Sequence, residues 1–419
     1  MSRNRIGGLV PLLAGVLIAA CQPETGPEAV RSVASALTAR PPTDTVRLGR
    51  ELFFDTSLSE PPGQACATCH GPAAGYTGPS SQVNATTVVY SGAIHARFGN
   101  RKPPTAAYAA SADLFALDVA SSTFSGGNFW DGRATGEKLG NPAADQAQGP
   151  FLNPLEQNNP DAATVVRKVC TGSYAPRFRE VWGGDACADV ARAYDFIALS
   201  IAAFEASDEV SAFSSKFDAW VSGRAALSAR ERRGLTLFKV KARCALCHPP
   251  PLFTDFTFVN IGVPRNPSNP FYGELDVNPA GSNWVDPGLG GFLATQPNWA
   301  AFASANIGKL KVPTLRNVDA RPTSSFVKAY THNGFFKSLK SIVHFYNTRD
   351  VLPVCGASAA GVIGETCWPP PETRQNINHV ETGNLGLTSA EEDDLVAFLE
   401  TLSDGYHRDR GAESPKETR

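Results

Sequence analysis

The chain has 419 residues, of which 42% are hydrophobic and 19% charged, and its formal net charge is −2. This length is sufficient for two globular domains, and the composition is that of a soluble folded protein. Because the net charge is close to zero and no long basic run occurs, nothing indicates nucleic acid as a partner.

The N-terminus has the pattern of an export signal. Arg3 and Arg5 precede an apolar run over residues 6–20. The run is too short for a comfortable membrane span, but it suits the core of a signal peptide. We therefore expect an exported protein.

The end of this run resembles a bacterial lipobox, with Leu-Ile-Ala-Ala-Cys at residues 17–21. The resemblance implies a lipoprotein signal peptide over residues 1–20, cleavage before Cys21 and lipidation of its thiol. Gln22 follows in place of Asp, which favours the outer membrane. The protein is then expected in the periplasm or at the cell surface, held at a membrane only through the lipid on Cys21. The alternative is an ordinary signal peptide that has a cysteine near its end.

Composition divides the rest of the chain. Residues 21–45 are rich in Ala, Pro, Glu and Thr, which predicts a flexible tether. Two halves follow, predicted at 46–223 and 224–405, with a flexible tail over 406–419.

A coarse internal repeat relates the two halves. Short amphipathic helices are predicted over 47–54 and 233–238, each ahead of a cysteine pair, and each half closes with a helix, over 195–206 and 388–402. Two capping boxes, which pair Ser228 with Glu231 and Thr388 with Glu391, mark helix starts. The segment 249–313 is dense in Pro, Gly and Asn, so it is expected to form long ordered loops. Since strand signals are few, the predicted fold is mainly α.

Two CxxCH motifs carry the clearest chemical signal. Cys66-Ala-Thr-Cys69-His70 lies in the first half and Cys244-Ala-Leu-Cys247-His248 in the second. Two thiols three residues apart reach the two vinyl groups of a haem and form thioethers, and the adjacent histidine then binds the iron. A zinc or redox pair is the alternative for a single CxxC. Two CxxCH motifs in an exported chain favour two covalent haems c, one in each of two cytochrome c-like domains.

The other cysteines predict disulfides. With Cys21 and the two motifs set aside, four cysteines are left, and each lies near only one other in sequence. An oxidising compartment then favours the local pairs Cys170–Cys187 and Cys355–Cys367. Buried free thiols are the alternative.

The second axial ligand of each haem is constrained by the absence of methionine. The only methionine is Met1, in the predicted signal peptide. Neither haem can therefore have the His/Met ligation of typical high-potential electron carriers. The irons are left with His, Tyr, another donor or an open position.

From about Leu48 to Leu402 the chain resembles the bacterial dihaem cytochrome c peroxidase and MauG superfamily. The resemblance is carried by Phe-Trp-Asp-Gly-Arg at 129–133, Gly-Pro-Phe-Leu-Asn-Pro-Leu-Glu at 149–156, Val-Pro-Thr-Leu-Arg-Asn-Val at 312–318, and Thr-His-Asn-Gly at 331–334 leading to His-Phe-Tyr-Asn at 344–347. It implies a peroxidase-type haem oxidoreductase with hydrogen peroxide as the oxidant.

The resemblance makes the His70 haem the peroxide site. Gln146, Pro150 and Glu156 match the family's distal pocket. A glutamate there moves a proton from the near to the far peroxide oxygen, if burial raises its pKa. Gln146 would hydrogen-bond the bound peroxide or water. The alternative is that Glu156 is an ordinary loop carboxylate and Gln146 a surface amide.

The same resemblance assigns the second haem and the path between the haems. Tyr346 stands where the MauG branch has a tyrosine ligand, and a tyrosinate stabilises ferric and higher iron states. The alternatives are that Tyr346 is a core aromatic and that His344 or no residue fills the site. Trp130 matches the tryptophan between the haems, a stepping stone for an electron hole. A structural role in a tight turn is compatible with this one.

A calcium ion between the haems is a further expectation. The family uses two backbone carbonyls, which match Val327 and Ala329, and one asparagine, for which Asn100 is only a candidate. His95 lies near the position of a histidine that blocks the peroxide haem in some members, but an open site is favoured. Ala242 replaces the surface tryptophan that the MauG branch uses toward its partner, so the route for oxidising equivalents differs.

Three functions follow from these residues. The first is a MauG-like enzyme that reacts with peroxide at the N-terminal haem and shares the oxidising equivalents with the C-terminal haem. It would oxidise an exported partner protein, with tryptophan as a plausible target. The second is a detoxifying peroxidase fed by a small cytochrome or cupredoxin. The third, a non-catalytic surface electron conduit, is disfavoured by the missing methionine and by the Gln146, Pro150 and Glu156 set.

Overall fold

The structure is a computed structural model that describes residues 42–356 and 361–406. The predictions for the signal peptide, for Cys21, for most of the tether and for the tail beyond Tyr406 concern residues outside these ranges. Within them, no helix combines the length and the apolar character needed to cross a bilayer.

The described chain is mainly helical, as predicted. Its α-helices are α1 Thr43–Phe54, α2 Cys66–Cys69, α3 Ser81–Ala85, α4 Pro142–Leu152, α5 Ala162–Thr171, α6 Ala175–Trp182, α7 Val190–Glu205, α8 Lys216–Val221, α9 Ala229–Lys239, α10 Gly288–Ala294, α11 Leu339–Thr348 and α12 Ser389–Glu400. Short 3₁₀ helices occupy Thr56–Leu58, Pro72–Ala74, Ala109–Ser111, Cys244–Leu246, Pro270–Gly273, Gly281–Asn283, Ala300–Phe302 and Ser304–Asn306. The segment 249–313 is therefore largely loop with short helices, which agrees with its composition.

Four short strands form two antiparallel pairs. They are β1 Ala116–Asp118, β2 Thr123–Ser125, β3 Phe258–Val259 and β4 Leu310–Lys311. In the first pair Leu117 lies opposite Phe124, and in the second Val259 lies opposite Leu310.

Side-chain caps explain where the helices begin. Both predicted capping boxes form: the Ser228 and Thr388 hydroxyls accept from the backbone N–H three residues on, at 3.2 and 3.3 Å. Helix α7 begins at Val190, earlier than predicted, because the Asp189 carboxylate accepts from the Arg192 N–H at 2.7 Å. Helix α1 takes in residues 43–45, which the sequence assigned to the tether.

The repeat is visible as two equivalent helix crossings. Helix α1 packs on α7 through Gly49, and α9 packs on α12 through Gly234. A Cβ atom on Gly49 would lie 1.8 Å from the Ser200 carbonyl oxygen, and one on Gly234 would lie 1.9 Å from that of Asp394. Since no larger residue fits at such a distance, glycine fixes how closely each pair of helices approaches.

Replacing Gly234 by Ala is expected to lower the free energy of unfolding of the haem-loaded protein by about 1–3 kcal/mol, because the added methyl group forces α9 away from α12. A denaturant titration measures it. Gly184→Ala is the matched control, since a Cβ there meets nothing within 4 Å; it should change the stability by less than about 0.5 kcal/mol. Equal effects of the two changes would contradict the close crossing.

Each half builds its own hydrophobic cluster. The N-terminal cluster gathers around Leu48, Phe53 and Phe204, and the C-terminal cluster around Phe253 and Phe398. The predicted boundary at residue 223 puts helix α8 in the N-terminal half. Its packing differs, because Phe217 and Val221 belong to the C-terminal cluster.

Disulfides fix loops in both halves. The predicted pairs Cys170–Cys187 and Cys355–Cys367 are confirmed. The first joins the end of α5 to the segment before α7, and the second closes the loop that follows α11.

Buried charges join the two halves. Arg316 is fully buried, forms a two-pronged ion pair with Asp218 at 2.8 and 2.9 Å, and lies over the rings of Tyr108 and Phe213. The Tyr108 hydroxyl donates to Asp404 at 2.7 Å. Because the segment around Arg316 comes from the C-terminal half and Tyr108 from the N-terminal half, this group spans the junction.

Candidate two-haem cavity

A cavity of about 460 Å³ reaches both CxxCH motifs. Most of the predicted site residues line it, from both halves of the chain. They are Cys66, Cys69, His70, Asn100, Trp130, Gln146, Pro150, Glu156, Cys244, Cys247, His248, Ala329 and Tyr346. The chain therefore brings the two motifs and the predicted catalytic residues to one interior space.

The first motif is a single helical turn, α2, that turns His70 toward the cavity. The Thr68 hydroxyl accepts from the Ala65 N–H at 3.0 Å, and the His70 N–H donates to the Cys66 carbonyl at 2.9 Å. His70 Nδ1 lies 3.2 Å from the Tyr76 carbonyl oxygen. Since a carbonyl only accepts, Nδ1 carries the proton and the Nε2 lone pair is free for a metal. Burial lowers the pKa of His70 to about 4, so the ring is neutral at pH 7.

The second motif repeats this arrangement. Cys244–Leu246 is a 3₁₀ turn, and His248 Nδ1 lies 2.9 Å from the Phe253 carbonyl oxygen. Burial lowers the pKa of His248 as well. Its Nε2 is therefore also a neutral nitrogen donor, held in place by a backbone carbonyl on the other side of the ring.

The motif cysteines fit thioether formation better than zinc binding. All four are free thiols, and burial raises the pKa of each to about 12. Among the residues described, no group of three or more His, Cys, Asp or Glu side chains is placed to hold a metal ion.

Buried polar groups in the cavity wall lack partners that haem propionates would supply. Lys102 Nζ donates only to the Thr77 hydroxyl at 2.7 Å and the Pro103 carbonyl at 3.0 Å, and Lys311 Nζ only to Gly127 and Asn128. Neither lysine forms an ion pair within the described ranges. Burial lowers the pKa of each to about 7, although the charge of Asp113 acts on Lys311 in the opposite direction.

The Tyr330 hydroxyl is likewise buried, and no described residue forms a hydrogen bond with it. Anionic groups at this wall would restore the charge of the lysines and satisfy the hydroxyl. The cavity therefore fits two haems in charge as well as in attachment.

Helix α4 and the loop after it carry the predicted distal residues. Asn141 caps α4 by accepting from the Ala143 and Ala144 N–H groups at 2.8 and 3.2 Å, and the helix holds Gln146 and Pro150 on the cavity wall. Glu156 follows where the chain turns back, with its N–H donating to the Asn153 carbonyl at 3.0 Å.

The environment of Glu156 suits proton transfer. Burial raises the pKa of its carboxyl, while Arg133 and the Asn153 side chain act in the opposite direction. The Arg133 guanidinium is held 3.7 Å above the Phe129 ring and donates to Asp131 at 2.8 and 3.0 Å. Arg133 stands in a recognised motif, but sequence reasoning assigned it no role. The structure places it on the cavity wall, where its charge acts on Glu156.

Trp130 is buried between the two halves. Its Nε1 donates to the Lys102 carbonyl at 2.8 Å, and its own carbonyl accepts from the Lys311 N–H at 2.8 Å. Its ring lies 6.3 Å from that of His332, centroid to centroid. Lys102 precedes Trp130 in the N-terminal half, whereas Lys311 and His332 belong to the C-terminal half. The indole is therefore fixed from both sides.

Tyr346 and His344 lie on α11, and the structure separates them. Tyr346 lines the cavity, burial raises the pKa of its hydroxyl, and the Cys244 and Cys247 thiols add to the effect. His344 is engaged at both nitrogens, with Nδ1 at 2.8 Å from Glu392 and Nε2 at 2.8 Å from the Gly364 carbonyl. Neither nitrogen is free for iron, so this geometry favours Tyr346.

Changing His344 to Gln should therefore leave the absorption spectrum of the C-terminal haem unchanged. Only the free energy of unfolding should fall, by about 1 kcal/mol, because two partly buried hydrogen bonds are disturbed. Optical spectroscopy of the ferric protein and a denaturant titration measure the two effects. A shifted C-terminal haem spectrum would instead assign His344 as the ligand.

The remaining predicted positions are less closely grouped. Asn100 and Ala329 line the cavity but Val327 does not, and the Val327 carbonyl accepts from the Asn84 side chain at 3.1 Å. The calcium site therefore stays a prediction. His95 is exposed and does not line the cavity, and the open peroxide haem stays a prediction. Ala242 is 3% exposed.

Sequence and structure comparisons find relatives of one kind. The family described as di-haem cytochrome c peroxidase matches residues 43–226. The methylamine utilization protein MauG of Paracoccus denitrificans is 34% identical over 393 residues, which is 90% of this chain and 92% of that protein. A cytochrome-c peroxidase of Denitromonas iodatirespirans is 28% identical, over 86% of this chain and 81% of its own length.

Among solved structures, the diheme peroxidase BthA of Burkholderia thailandensis superimposes with a TM-score of 0.72 at 31% identity, covering 87% of each chain. The similarity spans both halves and therefore both CxxCH motifs. The fold predicted from the sequence is confirmed.

Proposed function

The chain belongs to the di-haem cytochrome c peroxidase and MauG family, and on that premise we propose that it reacts with hydrogen peroxide at its N-terminal haem. The oxidising equivalents would be shared with the C-terminal haem and used to oxidise a partner protein. Relatives of this similarity are cytochrome c peroxidases and MauG, so the chain is a peroxidase-type haem oxidoreductase with haem c as cofactor.

The observation that carries the proposal is the difference between the two ends of the cavity. At the N-terminal end the charge of Glu156 acts on the Cys66 and Cys69 thiols, and the charge of Arg133 acts on Glu156. Gln146 of α4 lines the same cavity and adds an amide. Around His248 the wall offers the Tyr346 hydroxyl, which hydrogen-bonds to no described residue. The first end suits a small polar substrate, and the second suits a closed metal coordination.

Glu156 would move the proton that peroxide cleavage requires. A haem iron with an open position supplies the electrons that break the O–O bond. Glu156, whose pKa is raised by burial and lowered by Arg133, would take a proton from the nearer peroxide oxygen and give it to the farther one, which leaves as water. The Gln146 amide orients the peroxide by hydrogen bonding.

Tyr346 would stabilise the oxidised form of the second haem after this step. Cys244 and Cys247 would attach the second haem, and His248 and Tyr346 would be the ligands of its iron. An anionic phenolate stabilises ferric and higher iron states relative to ferrous. Trp130, fixed between the halves, would pass an electron between the two haems.

The test is the addition of hydrogen peroxide to the diferric protein, followed optically and by electron paramagnetic resonance. The proposal expects a long-lived state two oxidising equivalents above diferric, formed without prior reduction. A protein that reacts with peroxide only after reduction would contradict it and would indicate a peroxidase fed by a small cytochrome or cupredoxin. The cytochrome-c peroxidase relatives keep that alternative open.

The setting of the reaction is part of the proposal. We infer from the lipobox pattern that the protein is exported and anchored through Cys21, and from Asn100, Val327 and Ala329 that calcium lies between the haems. Labelling with a radioactive fatty acid, compared between the wild type and Cys21→Ser, tests the first; calcium analysis of the purified protein tests the second.

A further inference from the structure

Glu205 is a buried acid in the two-haem cavity. It belongs to none of the recognised motifs and has no role in the proposed mechanism. It is the last residue of α7, it is 4% exposed, and it lines the cavity. Its charge acts on the Cys66 thiol, whose pKa it helps to raise. Glu205 is therefore close to the point where the N-terminal haem attaches.

The carboxyl of Glu205 has no fixed counter-charge. Among the described residues it forms no ion pair and accepts no hydrogen bond; only its backbone carbonyl is engaged, by the Ser211 hydroxyl at 2.9 Å. Burial alone raises its pKa to about 8. An unpaired carboxylate in an apolar interior is costly, and the end of a helix disfavours a negative charge further. At neutral pH the group is therefore close to its titration point, and the positive charge of a ferric haem nearby would favour its carboxylate form.

Glu205 is the titratable group at this end of the cavity that would keep no counter-charge beside a bound haem, because Lys102, whose charge acts on His70, would be paired with a propionate. Of the other residues that line the cavity, Phe53 of α1 is apolar, the Cys66 sulfur would be a thioether, and the Tyr108 hydroxyl is held by Asp404 at 2.7 Å. Glu156 is the other acid of this end of the cavity, and it faces the permanent charge of Arg133.

From this placement we propose that Glu205 takes up a proton from solvent for each electron that enters the N-terminal haem and releases it when the electron leaves. The proposal rests on the proposed function only in needing a haem at His70. The balance is one electron from a small redox protein or an added reductant and one proton from water. The carboxylate becomes a carboxylic acid while the haem loses one positive charge.

The physical reason is charge compensation in a low dielectric. A unit change of charge inside a protein shifts a nearby titration far more than it would in water, and the group without a fixed counter-charge responds most. Reduction of peroxide to two waters consumes two protons with two electrons. A buried acid that reloads from solvent would bring one of them into the cavity.

The test is the midpoint potential of the N-terminal haem, measured by spectroelectrochemistry as a function of pH. The midpoint potential of the wild type is expected to fall as the pH rises through the neutral range, with a slope approaching about 59 mV per pH unit, the value for one proton per electron. In Glu205→Gln the slope should vanish. Glu209→Gln is the matched control, because it removes an exposed acid that lies four residues after Glu205 and pairs with Arg50. This variant should keep the slope.

A slope retained in Glu205→Gln would overturn the proposal. A wild-type midpoint potential that does not change with pH would overturn it as well. If the glutamine variant fails to incorporate haem, the number of protons taken up on reduction of the wild type, followed with a pH indicator, decides instead: close to one supports the proposal and zero refutes it. Neither measurement uses peroxide, so failure here is distinct from failure of the diferric peroxide test.

Discussion

Replacing Glu156 by Gln is expected to slow the reaction of the diferric protein with hydrogen peroxide by about 10²–10⁴-fold, the usual contribution of a general acid–base group. Glutamine keeps the size and the hydrogen-bonding capacity of the side chain but carries no exchangeable acid proton. Stopped-flow absorption at the N-terminal haem measures the rate. Glu137→Gln, an exposed acid outside the cavity, should react at the wild-type rate.

The pH dependence of this rate should follow from the raised pKa of Glu156. The carboxylate must be deprotonated to accept the first proton, so the rate should fall as the pH drops through that pKa. Because burial raises it, the fall should begin at a higher pH than for an exposed glutamate, and Glu156→Gln should not show this step. A wild-type step that persists unchanged in the variant would assign the titration to another group.

Tyr346→Met should raise the potential of the C-terminal haem by on the order of hundreds of millivolts, because a neutral thioether replaces an anionic oxygen and axial ligands govern a range of that size. The variant should also fail to form the two-equivalent state from diferric protein. Redox titration and the peroxide experiment measure the two effects.

Tyr330→Phe provides the control for Tyr346→Met, since it removes another buried phenol that lines the cavity. It should leave the potential of the C-terminal haem much closer to that of the wild type. An unchanged potential in Tyr346→Met, or equal shifts in the two variants, would exclude Tyr346 as the ligand.

The features predicted correctly from the sequence are those with a local signal. The CxxCH spacing, the capping boxes at Ser228 and Thr388, and the disulfides between cysteines near in sequence each depend on a few neighbouring residues. The pairing of Gln146 with Glu156 was available only through the family resemblance, because nothing local indicates that a helix and the following loop face one haem.

What the sequence did not reveal depends on contacts between distant segments. Lys102, Lys311 and Glu205 look like ordinary charged residues in sequence, and only the folded chain shows that they line the cavity and form no ion pair with another described residue. The packing of α8 with the C-terminal cluster is of the same kind, since Phe217 meets Phe253 and Phe398 only after the fold closes.

The buried group around Arg316 has a consequence for how the molecule comes apart. It lies between segments from both halves of the chain: Arg316 pairs with Asp218 of α8 and is covered by the rings of Tyr108 and Phe213. If one half unfolded alone, the cation–π contacts of Arg316 with these rings and the hydrogen bond between Tyr108 and Asp404 would be lost with it. The two halves should thus unfold as one cooperative unit, although each has its own hydrophobic cluster and its own haem motif.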